Sequence, residues 1–335
     1  MKKVVISFVR FAISGVLALL ILCALTVVYY SPPVSKAQPS KYTNSKFEKN
    51  VFWSDMIEGW GVGTTNNLGY NSLDDYDALE PVIAVLGSSH TEALQVNQKK
   101  NFVSQMQAKL LADSDKTNDA VCLNLGVSGH FFDISASNFE YFAQNFSNVQ
   151  GAVIETANLE FTPEKLEKMF NGDYHVDRSE KGKVYELVQK IPYARLLYKQ
   201  YMDTKTVEGA STKEPIDYTL YQQGVDKVLN KLGGIAETNG FELIILYHNH
   251  VTVENKQGIR TDDPQIVEIF RKKCEENGIV FIDVTDRFVE HFNDTYELPY
   301  GFPNTTMGSG HLNELGHSMV ADELYEHFAN RTEGD

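Results

Sequence analysis

Five short stretches of this chain set reactive or hydrogen-bonding groups directly after apolar runs. They are Gly87-Ser88-Ser89-His90-Thr91, Asn124-Leu125-Gly126-Val127-Ser128-Gly129-His130, Thr156-Ala157-Asn158, His248-Asn249-His250, and Gly308-Ser309-Gly310-His311-Leu312-Asn313-Glu314-Leu315-Gly316-His317. Together they offer what acyl transfer through serine requires. That chemistry needs a hydroxyl, a base for its proton, donors for a developing oxyanion and a group to hold the base. Ser89 supplies the hydroxyl and, at a strand-to-helix turn, its own N–H. Gly129 supplies a second N–H, and without a Cβ it lets a substrate oxygen come close. Asn158 supplies a side-chain amide, and His311 is the base. Ser128 is a rival nucleophile, but Gly126-Val127-Ser128-Gly129 lacks the GxSxG spacing of a nucleophile elbow.

These residues need a scaffold that brings loop ends together. Residues 82–86, 120–125, 151–155, 241–247 and 279–284 are apolar on both faces and read as five strands. Helical patterns lie between and after them at 101–113, 134–146, 218–239, 264–277 and 313–330. Fully apolar strands alternating with helices imply a parallel sheet covered on both sides. The expected fold is α/β, a flavodoxin-like, doubly wound, five-stranded sheet. Such a sheet binds ligands beyond the carboxyl ends of its strands, where the five stretches stand. Residues 161–212 interrupt the pattern as an insertion with one helix near 184–201. Entering directly after Asn158, it is a candidate lid.

In this arrangement the chain resembles the SGNH hydrolases, the GDSL-type lipases and esterases. The first family block, Gly-Asp-Ser, is similar to Gly87-Ser88-Ser89, with Ser in the middle place. The second, a glycine in an Asn-x-x-x-Ser-Gly context, is matched by Asn124 to Gly129. The third, Gly-x-Asn-Asp, keeps only Asn158. The last is matched by His311, Asn313, Gly316 and His317. The resemblance covers about 81–330 without the insertion. It implies Ser89 as nucleophile and His311 as base, with an oxyanion hole of Ser89, Gly129 and Asn158.

The family's acid stands three residues before its histidine, and that place is Gly308 here. Three readings stay open: a Ser–His dyad with the imidazole held by a backbone carbonyl, a substitute acid at Asp283 or Asp286, or a protein that hydrolyses nothing and serves an envelope-modifying complex as a binding partner. His248, Asn249 and His250, with His90 and His130, raise a metal reading. The spacing gives no second ligand pair, so no metal and no cofactor is expected.

The remaining chain places this site. Its 335 residues are 42% hydrophobic and 22% charged, an ordinary globular composition. The formal charge of -15 disfavours nucleic acid as a partner, since phosphates would be repelled. Lys2, Lys3 and Arg10 precede the uncharged stretch 11–30, long enough to cross a bilayer as a helix. The expectation is a single-pass anchor in the cell membrane, basic end in the cytoplasm and catalytic domain outside it. Ser35-Lys36-Ala37 leaves a cleaved signal open as the alternative. Residues 31–50, with Pro32, Pro33 and Pro39, read as an extended tether, and 51–335 as the catalytic domain. Trp53, Trp60, Tyr70 and Tyr76 argue that 51–80 packs along the edge of that domain, with Asn66-Asn67-Leu68-Gly69-Tyr70 as a structural turn. Three cysteines, Cys23, Cys122 and Cys274, make no disulfide framework. Asn293-Asp294-Thr295 and Asn304-Thr305-Thr306 match the glycosylation triplet. The expected substrate is an acylated envelope polysaccharide or another ester, hydrolysed or transferred through an acyl-serine.

Overall fold

The computed structural model describes residues 2–33, 47–113, 120–172, 188, 190–203 and 216–330. The central sheet has five parallel strands: β4 (Val82–Gly87), β5 (Val121–Gly126), β6 (Val149–Thr156), β7 (Glu242–Tyr247) and β10 (Val280–Asp283). Their order is β10-β7-β6-β4-β5. Counted along the sheet's own strands, this is 2-1-3-4-5, the flavodoxin-like order. The chain reverses direction at β4, so the crevice at its carboxyl end is the topological switch point. Ser89 follows β4 there.

Alternation along each strand feeds two cores. Ala84, Leu86, Leu123, Leu125, Ile154, Leu243 and Ile245 face one side. There they meet the helices Phe132–Ser137, Phe139–Asn145, Pro163–Asn171, Tyr218–Asn239 and Pro264–Glu276. Ile83, Val85, Cys122, Val153, Ile244 and Leu246 face the other, against Phe102–Ala112, Thr285–Thr295 and Glu314–Asn330. Cys122 and Cys274 are buried and unpaired, and burial pushes both thiols up, which makes them inert.

Several elements differ from expectation. The helix expected over 134–146 is two, broken at Asn138. The Asn138 side chain bonds back to the Ile134 carbonyl and competes with the helix. The insertion contains Pro163–Asn171, opened by the Thr162 cap and closed by Gly172 at φ +74°. It also contains Pro192–Asp203; the earlier part of the helix expected near 184–201 lies largely outside the described residues. A hairpin, β8 (Val251–Glu254) and β9 (Gln257–Arg260), follows β7.

The amino-terminal region builds a second sheet. The helix Lys2–Tyr29 is long and apolar enough to cross a membrane. It runs straight into β1 (Tyr30–Ser31), which pairs antiparallel with β2 (Phe52–Asp55), and β2 with β3 (Gly61–Thr64). The tether expected over 31–50 does not hold the domain away from the helix. Its middle lies outside the described residues, but both ends are fixed: Ser31 pairs with Ser54, and the Phe47 N–H bonds to Gly69 O. Trp53 and Tyr70 are buried as expected, whereas Trp60 is 55% exposed. Asn66 caps its own turn, accepting from the Leu68 and Tyr70 N–H groups.

Candidate active site

Ser89 opens the short helix Ser89–Glu92, and Ser88 is its N-cap. Ser89 N–H is among the first amides of this helix, which have no intrahelical acceptor. The loop before the last helix brings His311 opposite. Its Nε2 lies 2.9 Å from Ser89 Oγ, a hydrogen bond joining residues 222 positions apart.

The other ring nitrogen decides what His311 can do. Nδ1 lies 2.7 Å from Glu58 Oε2, and the His311 backbone N–H donates to Glu58 Oε1 at 3.0 Å. A carboxylate here accepts from Nδ1–H, which leaves Nε2 with the lone pair that takes the serine proton. Burial alone would raise the Glu58 carboxyl. The hydrogen bonds and charge of His311 outweigh it and hold the group below its ordinary value. Glu58 is therefore ionised at neutral pH. The Ser89, His311 and Glu58 side chains are connected in series.

Glu58 was not anticipated. It comes from the β2–β3 turn, far from His311 in sequence, in a segment notable only for aromatics and glycines. Two features fix it. Gly310, at φ +86°, lies so close that a Cβ there would stand 2.3 Å from Glu58 Oε1. Asn304 clamps the turn: Gly59 N–H donates to its Oδ1 at 2.9 Å, and its Nδ2 donates to Met56 O and Gly59 O. The same bonds occupy the amide that a glycan would need, which removes the Asn304-Thr305-Thr306 glycosylation reading.

Asp283 and Asp286 are corrected as acids for His311. Both are held by Arg260 of β9, at 3.0 and 2.7 Å. Asp283 also caps Thr285 N–H and lies near Arg271. An aspartate tied to a guanidinium and a helix cap is structural, and the position behind His311 is already filled by Glu58.

The expected oxyanion donors stand at the carboxyl edge. Gly129, after β5, has φ +84° with open space where a Cβ would be, as a close approach of substrate requires. Asn158, after β6, is exposed, and its Oδ1 accepts from Glu160 N–H, leaving Nδ2 as the donor end. Ser128 donates to the buried Glu92, a carboxylate where Ser89 has the imidazole of His311.

Beneath the serine turn lies a second carboxylate. Glu155, at the end of β6, is fully buried. Its Oε2 accepts from Ser88 N–H, Ser88 Oγ and Thr91 Oγ1 at 2.9, 3.0 and 2.9 Å. Its Oε1 meets His248 Nε2 at 3.0 Å, and His248 Nδ1 meets the Tyr300 hydroxyl. Burial opposes ionisation, but the His248 bond and these donors hold Glu155 down at about 2. The middle residue of the Gly-Ser-Ser turn is uncharged because a carboxylate reaches it from the neighbouring strand. The sequence signal was a glutamate closing an otherwise apolar buried strand. His248 is thus a network residue. His90 is also buried, its Nδ1 accepting from Leu312 N–H, and burial lowers its pKa well below the ordinary value. His317 is stacked on Phe102 and accepts from the Phe102 N–H; it fastens the last helix.

A separate cavity of about 580 Å³ opens at the opposite edge of the sheet, beside Pro81, Val149 and Phe241. Its lining carries no titratable or nucleophilic side chain.

No family model matches the sequence, and no curated protein matches it closely. Among solved structures, the chain is similar to an acetyl xylan esterase, AlAXEase (15% identity, 73% of this chain and 99% of that one, TM-score 0.41). It is similar also to a two-domain esterase active on acetylated mannans (10% identity, 76% and 50%, TM-score 0.42). A third is a member of the lipolytic protein G-D-S-L family from Veillonella parvula DSM 2008 (15% identity, 74% and 97%, TM-score 0.39). The chain itself is an α/β protein with a five-stranded parallel sheet and one amino-terminal helix of membrane-spanning length.

Proposed function

We propose that this chain is a membrane-anchored serine enzyme of SGNH type that cleaves ester-linked acyl groups outside the cytoplasm. The observation that carries the reading is the connected series Ser89–His311–Glu58, with hydrogen bonds of 2.9 and 2.7 Å. Ser89 Oγ attacks the ester carbonyl as His311 Nε2 takes its proton. The charge on the carbonyl oxygen is met by the Ser89 and Gly129 amides and the Asn158 side chain. His311, its positive charge balanced by Glu58, returns the proton to the departing alcohol oxygen as the C–O bond breaks. An acyl-serine remains. Water, or the hydroxyl of an acceptor sugar, then attacks it by the reverse sequence, so hydrolysis and acyl transfer share one site.

The helix Lys2–Tyr29 serves as the anchor, its basic end in the cytoplasm, following the charge bias of membrane insertion. A site beyond the membrane draws its substrate from the cell envelope, where acylated polysaccharide or another ester is the fitting class. The non-hydrolytic reading rested on the missing acid at Gly308 and on the anchor, and Glu58 answers the first of these.

The test is covalent. The full chain in detergent is treated with a fluorophosphonate probe and assayed with aryl acetate. Labelling and turnover that vanish together in Ser89→Ala support the mechanism. A folded chain that neither labels nor turns over ester, or a Ser89→Ala chain as active as the parent, overturns it.

A further inference from the structure

The serine site is built onto the end of the anchor. Ser54 Oγ donates to Val27 O at 2.9 Å, and Met56 N–H to Tyr29 O at 3.0 Å. The anchor is exposed along most of its length and is buried only at Thr26, with Tyr30 just beyond it, near where the small sheet and the helix Pro192–Asp203 pack against its end. The uncharged stretch ends at Tyr30, so these contacts lie at the outer boundary of the hydrocarbon layer. Glu58 is two residues past Met56, at most about 7 Å of chain. From Glu58 the contacts pass through His311 to Ser89. The nucleophile therefore stands within about 25 Å of the helix end, where a headgroup layer about 5–8 Å deep begins.

The insertion helix Pro192–Asp203 adds an independent observation. Arg195 is buried and bonds to Tyr30 O, Pro32 O and Ser31 Oγ, with its guanidinium 5.8 Å from the Tyr30 ring centre. This fixes the helix beside the exit of the anchor. Leu197 and Tyr201, one turn apart, are nonetheless exposed, at 47% and 55%. Phe52 of β2 and Trp60 beside Glu58 are exposed as well. Apolar and aromatic side chains around the exit of a membrane helix form the belt that sits at headgroup level. On the same insertion helix, the Lys199 charge acts on the Asp55 and Glu58 carboxyls.

We infer that the site works at the bilayer surface, on an acyl ester carried by an amphiphile resident in the outer leaflet. This rests on the reading of Ser89 as nucleophile and of Lys2–Tyr29 as a membrane span. A soluble ester, or a polymer far from the membrane, is the competing source.

The experiment uses the full chain reconstituted in phosphatidylcholine vesicles. One probe is umbelliferyl oleate embedded in the same vesicles, and the other is soluble aryl acetate. Diluting the oleate ester with more phosphatidylcholine, at constant bulk concentration, lowers its turnover in proportion to its surface fraction and leaves aryl acetate turnover unchanged. The double variant Leu197→Asn with Tyr201→Asn lowers oleate turnover by about five-fold or more relative to aryl acetate turnover in the same preparation. Oleate turnover that follows bulk concentration alone, with Ser89-dependent aryl acetate hydrolysis intact, overturns this inference and leaves the esterase reading standing. No Ser89-dependent turnover of either ester overturns both.

Discussion

Replacing Glu58 by Gln tests how far catalysis depends on a carboxylate behind His311. In the transition state His311 becomes an imidazolium, with Glu58 Oε2 2.7 Å from Nδ1. Two charges about 4 Å apart at an effective dielectric constant of about 20 attract by about 4 kcal/mol. A neutral amide in the same place returns about 1 kcal/mol as an ordinary hydrogen bond. The difference, about 3 kcal/mol, is roughly a hundred-fold in rate. Geometry adds to this. Glu58 also accepts the His311 backbone N–H at its other oxygen. A glutamine that keeps that bond turns its NH₂ group toward Nδ1. The ring must then carry its proton on Nε2, where it cannot accept the serine hydrogen. Glu58→Gln should therefore lower kcat for aryl acetate by about two orders of magnitude, or more, with little change in KM. The measurement is Ser89-dependent steady-state hydrolysis by the full chain in detergent. A Glu58→Gln chain within about three-fold of the parent kcat would refute the reasoning and return the site to a Ser–His dyad.

Gly310→Ala should mimic that loss, because its Cβ would stand 2.3 Å from Glu58 Oε1 in a backbone at φ +86°; kcat should drop about ten-fold or more, with the fold retained by circular dichroism. Glu155 has its carboxyl held at about 2 against an ordinary 4.5. Its stabilising contribution is therefore fully present above pH 4.5 and lost as pH falls toward 2, an effect of up to about 3 kcal/mol. Urea midpoints from pH 2 to 6 should decline through that window in the parent and less steeply in Glu155→Gln. Asp55 runs the other way: burial raises it from 3.8 to about 6. The fold favours its protonated form, so its contribution falls as pH rises from 4 to 6, and Asp55→Asn should remove that part of the slope. Asp283→Asn should lower thermal stability, since it loosens Arg260 and the Thr285 cap, while kcat stays near that of the parent.

The parallel sheet was legible because its central strands are buried on both faces. Residues 82–86 and 243–247 read as unbroken apolar runs, and such runs have few alternatives between amphipathic helices. The positions of Ser89 and His311 followed from strand ends, and the structure brings those two side chains together. Glu58 was illegible for a physical reason. Its partner is 253 residues away, and it stands on a turn between four-residue strands, where pairing partners and not local pattern decide the structure. The hairpin Val251–Arg260 escaped notice for the same cause. Pro163–Asn171 did carry its signals, a Thr-Pro start and a Gly stop, but they fell in a stretch read as an irregular insertion. Ser88 in place of an acidic residue becomes intelligible only once Glu155 is seen to reach it across from the next strand.

The sequence separation between Glu58 and His311 also sets when the site comes into being. The small sheet that carries Glu58 is synthesised well before His311, so the acid has no imidazole to hold until 253 further residues have been added. Ser89 waits likewise, its partner 222 residues ahead. Contacts of such long range close late in folding. A chain that has not yet reached His311 therefore holds Ser89 without the base opposite it. The reactive centre appears only when the loop before Glu314–Asn330 docks against the two earlier segments.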